Sequence, residues 1–361
     1  MPAIVQPRRL NIRKTAFVSM LLTAFFVYTY FIRDPLGPPN PNFRGRTMGT
    51  TYEIKIVGSR KVRSELDAIY SEITHTLFKL NRQMSTYIDD SEISVFNTST
   101  ATNPYPISVD FAKVTEKAIE LSHATIGAFD PTLDPLINLW GFGNKGQTKS
   151  PPSSNEVTQA LARCNVEYLQ LSPGPAIRKT ISNLQLNLSA IAKGYAVDTV
   201  TELFWKHGWT NTYVEIGGEI RVSGHNRKRQ PWRIGIDLPA DNASPGEAIA
   251  SVFALRNRAV ATSGDYRNYF EDSNGNRRSH LIDPRTGTPI SHRLASVSVT
   301  ATNCMIADGI ATALMVMGVE QGLTWVEDQD HVDALFIARE TDGTFRLVQS
   351  TGLPPLLHSS R

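Results

Sequence analysis

The 361 residues are 41% hydrophobic and 20% charged, a globular composition that excludes wholesale disorder, collagen-like repetition and a multi-span membrane protein. There are 37 Lys and Arg against 34 Asp and Glu, but seven of the basic residues (Arg8, Arg9, Arg13, Lys14, Arg33, Arg44, Arg46) and only Asp34 fall within 1–46, so the body carries 30 against 33. The basic excess therefore lies beside a hydrophobic run and forms no basic domain, which argues against nucleic acid as a partner.

Residues 16–32, AFVSMLLTAFFVYTYFI, are uncharged and span roughly 25 Å as a helix, the lower limit for crossing a bilayer. No small-x-small cleavage site follows, so an uncleaved anchor is expected in preference to a removed signal peptide. The preceding basic segment, 1–15, then stays in the cytoplasm, and the body lies across the membrane. The Pro-rich stretch 33–42 reads as a stiff spacer, and 43–361 as one composite domain whose patterned part ends near 353.

Along the body, residues 50–57 alternate as a strand, and 62–80 place Leu66, Ile69, Ile73, Leu77 and Leu80 at helical spacing. Further helices are expected near 108–125, 154–163, 190–207, 303–317 and 319–327. Strands are expected near 212–223, 232–237, 248–255, 258–262, 278–282, 295–301 and 332–338, and 143–155 reads as an exposed loop. Strands clustered around turns, not alternating with helices, indicate an α+β fold with mainly antiparallel pairing. Cys164 and Cys304 have neither zinc-site nor disulfide-framework spacing, and two free thiols are expected.

Four segments carry candidate chemistry. In LNLSAIAKGYAVD (186–198) a short apolar strand is expected to end at Ser189 and a helix to open near Ala190, with Lys193 on its first turn. A helix start with small residues suits phosphate oxygens, although Ser189 can equally be a plain cap and Lys193 a solvated cation. Gly217 and Gly218 in EIGGEIRVSG permit a hairpin turn or close approach of a ligand. Asp308 and Thr312, one helical turn apart in an apolar helix, can converge on a hard cation such as magnesium; alternatively Asp308 sits at an exposed helix start and Thr312 bonds its own backbone. In SHLIDPRTGTPI, His280, Asp283 and Arg285 offer a base, a carboxylate and a cation, or an ordinary turn.

Eight ordered motifs, RTMGTTYEI, MSTYIDDSEISVFN, GAFDPTLDPLINLWGFG, LNLSAIAKGYAVD, VEIGGEI, ATSGDY, HLIDPRTG and ADGIATALMVMG, together resemble the ApbE family of FAD:protein FMN transferases. The resemblance implies a T-fold-like α+β domain that binds FAD and magnesium and moves the FMN half to a Thr or Ser hydroxyl of a partner flavoprotein, releasing AMP. By the same resemblance Met48, Tyr87, Ala128, Phe129, Asp130, Lys193 and Ile282 contact FAD. Ala190 through its carbonyl, Asp308 and Thr312 resemble the magnesium set, and His280 is assigned as the base. Asn187 stands where the family commonly has Asp, keeping hydrogen bonds but losing charge. The family's usual lipid-attachment cysteine is missing, so a proteinaceous anchor at a bacterial inner membrane is implied, with the catalytic domain on the periplasmic side and a respiratory subunit as acceptor. Two rivals are an FAD pyrophosphatase and a tethered, non-catalytic FAD-binding maturation protein.

Overall fold

The computed structural model describes residues 12–28, 40–58, 61, 63–144, 146, 150–240, 246–266, 269–271 and 277–353. Helix α1 (Ile12–Val27) precedes a hairpin of β1 (Asn42–Thr47) and β2 (Thr50–Ile56), followed by α2 (Arg63–Met84), α3 (Glu92–Thr98), β3 (Tyr105–Pro106), α4 (Val109–Ala124), α5 (Asp134–Leu139) and α6 (Ser154–Leu161). Next come β4 (Leu169–Ser172), β5 (Ala176–Lys179), α7 (Ser189–Lys206), the hairpin β6 (Thr212–Ile216) and β7 (Glu219–Val222), β8 (Trp232–Asp237) and β9 (Ile249–Leu255). The last third holds β10 (Arg258–Gly264), β11 (Tyr269–Glu271), β12 (Arg277–Ser279), β13 (Ile282–Asp283), β14 (Thr288–Pro289), β15 (Leu294–Ala301), α8 (Cys304–Glu327), β16 (Asp333–Arg339) and β17 (Phe345–Gln349).

Eight strands form one sheet in the order β1-β2-β6-β7-β10-β15-β16-β17, with every neighbouring pair antiparallel, as the clustering of strands predicts. The period-2 pattern sends Ile54, Ile56, Val214 and Ile216 into the main core with α2, α7 and α8. Residues on the opposite face of the sheet, such as Ile220, Val222 and Val260, pack beneath the β8–β9 hairpin. A satellite core of Leu133, Leu136, Trp140, Phe142, Val157 and Ile282 joins α5 and α6 to the segment between β10 and β15.

One departure from the sequence expectation concerns the site. The apolar strand expected before Ser189 does not form: Leu184, Leu186 and Leu188 are buried in alternation, but Leu186 is held on both sides by a side chain. The Asn97 amide donates to the Leu186 carbonyl at 2.8 Å and its oxygen accepts from the Leu186 N–H at 2.7 Å, replacing a partner strand. At the N-terminus α1 spans 16 residues, and 29–32 of the expected anchor and 33–39 of the spacer lie outside the described residues. Among the described residues the one helix long and apolar enough to cross a membrane is α8, which is largely buried within the protein and is a core helix. Gly318, with φ 80° and ψ −177°, breaks α8 where the sequence separates its two helical patterns. Cys164 and Cys304 are free thiols, as expected.

Candidate active site at the junction of two helices

Helices α7 and α8 cross at Gly194. A Cβ there would lie 2.4 Å from the Cys304 carbonyl oxygen and 2.8 Å from Met305 Cα, so only glycine permits this approach of backbone to backbone. The start of α8 is fastened to α7 by Asp198, whose carboxylate accepts from the N–H groups of Cys304 and Met305, each at 2.9 Å, and from Arg221 at 2.8 Å. The negative side chain satisfies orphan donors at the positive end of the helix dipole. Burial nevertheless raises its pKa above the ordinary value, against the opposing effect of Arg221 and the two N–H groups.

That junction delivers the central cluster. The Gly194 N–H donates to Asp308 Oδ2 at 2.9 Å, and Lys193 Nζ lies 3.2 Å from Glu219 Oε1 and 3.8 Å from Asp308 Oδ1. Both carboxylates are 4% exposed and the lysine 28%, so neither bland alternative holds: Asp308 is not at an exposed helix start and Lys193 is not a solvated cation. Burial raises the Asp308 pKa, countered by Lys193 and the Gly194 N–H. Glu219 is raised by burial, lowered by Lys193 and raised again by Asp308. Burial alone would lower Lys193, but Asp308 and Glu219 raise it overall and hold it as a cation.

The donor chemistry fits a hard cation. Two buried carboxyl groups face one ammonium, and Glu219 Oε2 is buried without a hydrogen-bond partner, so oxygen donors for a cation are in place. Thr312 stands one turn beyond Asp308, its hydroxyl 3.3 Å from that of Ser263 on β10. Gly194 is the ordinary helical donor to the Ala190 carbonyl, so its bond to Asp308 ties the carboxylate to the turn that carries that carbonyl.

Two further segments border this cluster, and a third packs with the satellite core. Met48 occupies the two-residue β1–β2 turn at φ 47°, an uncommon backbone state for a non-glycine residue, followed by Gly49 at φ 73°. The β6–β7 turn, with Gly217 at φ 64° and Gly218 at φ 105°, realises the hairpin that this glycine pair permits. It abuts the β1–β2 hairpin, because Gly217 N–H donates to the Thr51 carbonyl at 3.0 Å. In the second segment Ala128 and Phe129 are buried, with the Phe129 ring 3.7 Å from where a Cβ on Gly309 would stand. Asp130 is raised by burial and accepts from both the N–H and the hydroxyl of Thr132, at 2.7 and 2.6 Å. Asn187 fastens this segment to the start of α7: its N–H donates to the Pro131 carbonyl at 2.8 Å, its Nδ2 donates to Asp134 Oδ1 at 2.9 Å, and its Oδ1 accepts from the Ser189 N–H and hydroxyl. Ser189 is thus the capped residue, not the cap.

In the third segment the exposed Tyr87 donates from its hydroxyl to the Phe142 carbonyl at 3.3 Å, and the Phe142 ring meets the His280 ring edge-on at 6.3 Å. Ile282 is buried in the satellite core and pairs with Pro289 across the β13–β14 hairpin. Asp283 and Arg285 pair with each other at 2.8 Å within a turn closed by the Gly287 N–H, so for these two the ordinary-turn reading holds. Glu219 was not among the expected site residues. Its available signal was a charge on the helix-facing side of β7, where Glu219 and Arg221, two apart, meet Lys193 and Asp198 of α7.

The ApbE family pattern matches residues 48–336, four fifths of the chain. The chain belongs to the ApbE family. Among relatives of this ApbE chain, the FAD:protein FMN transferase of Vibrio cholerae is 42% identical over 313 residues, covering 87% of this chain and 91% of the relative. That of Haemophilus influenzae is 39% identical over 316 residues, covering 86% and 90%. Among solved structures, the flavin transferase ApbE of Vibrio cholerae superposes with a TM-score of 0.78 at 39% identity, over 90% of this chain and all of that one. The apo flavinyl transferase ApbE of Pseudomonas stutzeri gives 0.76 at 37% identity, over 86% and 95%. The mixed helical and antiparallel ApbE fold expected from the sequence is therefore present.

Proposed function

We propose that this ApbE chain is an FAD:protein FMN transferase that moves the FMN half of FAD to a Thr or Ser hydroxyl of a partner flavoprotein and releases AMP. The observation that carries the reading is the buried Lys193, Glu219 and Asp308 cluster at the α7–α8 junction, in a chain whose relatives bear that enzyme name. Asp308, Thr312 and the Ala190 carbonyl would hold magnesium, which when bound neutralises charge on the diphosphate. Lys193, kept cationic by its two carboxylate neighbours, binds a phosphate oxygen and orients the diphosphate. Met48, Tyr87, Phe129, Asp130, Asn187 and Ile282 line the approach and place the flavin and adenine ends. The acceptor hydroxyl attacks the FMN-side phosphorus, the bond to the AMP oxygen breaks, and a ring nitrogen of His280 takes the hydroxyl proton.

Asp308→Asn keeps an acceptor for the Gly194 N–H but removes the carboxylate. Covalent flavin on the acceptor, read by in-gel fluorescence across a magnesium titration, falls at least about a hundredfold if the carboxylate grips the cation. An unchanged magnesium response removes Asp308 from the metal set, and free FMN with no labelled acceptor reassigns the reaction as FAD hydrolysis.

The location is read with the activity. α1 exposes Phe17, Met20, Leu22 and Phe25 at 64%, 72%, 63% and 66%, an apolar surface that calls for a nonaqueous setting. With the basic residues before it, this supports an uncleaved tether in a bacterial inner membrane, with residues 43–361 as one catalytic domain on the periplasmic side and a membrane respiratory flavoprotein as acceptor.

A further inference from the structure

Strands β1, β2, β6 and β7 have two functionally different ends. The Met48–Gly49 and Gly217–Gly218 turns stand at the end with Glu219 and the catalytic cluster. At the opposite end, about 20 Å away along β2, lie Asn40 ahead of β1, Val57 and Gly58 just past the end of β2, Asn211 just before β6 and His225 three residues past the end of β7. These residues line a cleft of about 470 Å³ completed by Arg227 and Arg229.

The loop that closes the cleft is basic, unpaired and held in shape. Arg227, Lys228 and Arg229 are exposed, and none of them pairs with a carboxylate among the described residues. Asn226 fixes the loop from within: its Oδ1 accepts from the N–H groups of Lys228 and Gln230, its Nδ2 donates to the Pro231 carbonyl, and its backbone carbonyl accepts from the Arg229 N–H. Arg229 itself sits at φ 60°, an uncommon state for a side chain of its size. Three cations presented on a preset loop beside a polar cleft suit phosphate oxygens.

Chain length decides which phosphates these are. Only seven residues, 33–39, separate the apolar run from Asn40, a reach of roughly 25 Å when fully extended. We propose that the Arg227–Lys228–Arg229 loop and its cleft seat against anionic phospholipid headgroups of the membrane that holds the N-terminal tether, which turns the catalytic end away from the bilayer. This orientation rests on the tether reading above.

The test uses the full chain in lipid nanodiscs, either neutral (phosphatidylcholine) or with one third phosphatidylglycerol. Retention in the disc at high salt is measured first; elution overturns the tether, and with it this surface. With the chain retained, the acylation rate of Lys228 by a soluble amine reagent is read by peptide mass spectrometry against Lys113, an exposed lysine on α4. Each basic residue near an anionic surface gains about fivefold in occupancy, so three predict at least a tenfold fall in Lys228 labelling in anionic discs. The double variant Arg227→Gln, Arg229→Gln should restore most of that labelling while leaving transfer to a soluble acceptor unchanged. Equal Lys228 labelling in both discs overturns the proposal. So does equal protection by inorganic phosphate in neutral discs, which would make the cleft a site for free phosphate.

Discussion

Replacing Gly194 by Ala tests whether the α7–α8 crossing sets the site. The added methyl would stand 2.4 Å from the Cys304 carbonyl oxygen and 2.8 Å from Met305 Cα, both backbone atoms that cannot rotate aside. Ordinary contact begins near 3.4 Å, so the helices must part by about 1 Å. Overpacking of this kind costs about 3 kcal/mol, and the better helix propensity of Ala returns about 1 kcal/mol. The net loss of about 2 kcal/mol lowers Tm by roughly 4 °C in a domain of this size. Activity should fall further than stability, because the same shift moves Lys193 relative to Asp308 and stretches the 2.9 Å bond from the Gly194 N–H; a displacement of about 1 Å is worth about a hundredfold in rate. Calorimetry and acceptor flavinylation at 25 °C, where the variant remains folded, separate the two effects. A variant with wild-type Tm and wild-type turnover would refute the claim that the close crossing builds the site.

Asn187→Asp places a carboxylate where an amide now donates to the buried Asp134. The variant should lose about 1–3 kcal/mol at pH 8 and less at pH 5, where protonation restores a donor; a denaturation series showing equal loss at both pH values contradicts this. Glu53 tests the β1–β2 hairpin that carries Met48. Burial alone would raise its pKa, but Lys55, Arg44 and Asn42 lower it to about 2. Because the folded value is depressed, the stabilisation is complete above the unfolded pKa and disappears as pH falls through about 2. Glu53→Gln should therefore lose about 1 kcal/mol at pH 7, allowing for solvent screening, and match wild type near pH 2, as measured by urea unfolding.

Much of the helical framework was legible because periodicity and burial agree in it. The spacing of Leu66, Ile69, Ile73, Leu77 and Leu80 names the buried face of α2, and the patterns on either side of Gly318 anticipate the break in α8. The Leu184–Leu188 alternation misled for a physical reason: period 2 reports which side chains are buried, not what satisfies the backbone, and here a distant asparagine amide does that work. In the site, Asp308, Thr312 and Lys193 stood out as polar residues on small-residue helices. Glu219 did not, since one carboxylate in a strand looks like a solvent-facing position until the helix across it is known. Asn187 was visible as a departure from the family pattern, whereas its bridge from Asp134 to Ser189 required the fold.

The break at Gly318 also insulates the site from change in the sequence around it. In an unbroken helix, one inserted residue turns everything beyond it by about 100°. Here an insertion after Gly318 would rotate only Val319–Glu327, the segment that reaches α4 through the bond from Trp325 to the Ala124 carbonyl, and would leave the angular setting of Asp308 and Thr312 untouched. Length variation among descendants of this chain can therefore accumulate in the distal half of α8 without disturbing the phase of the half that serves chemistry.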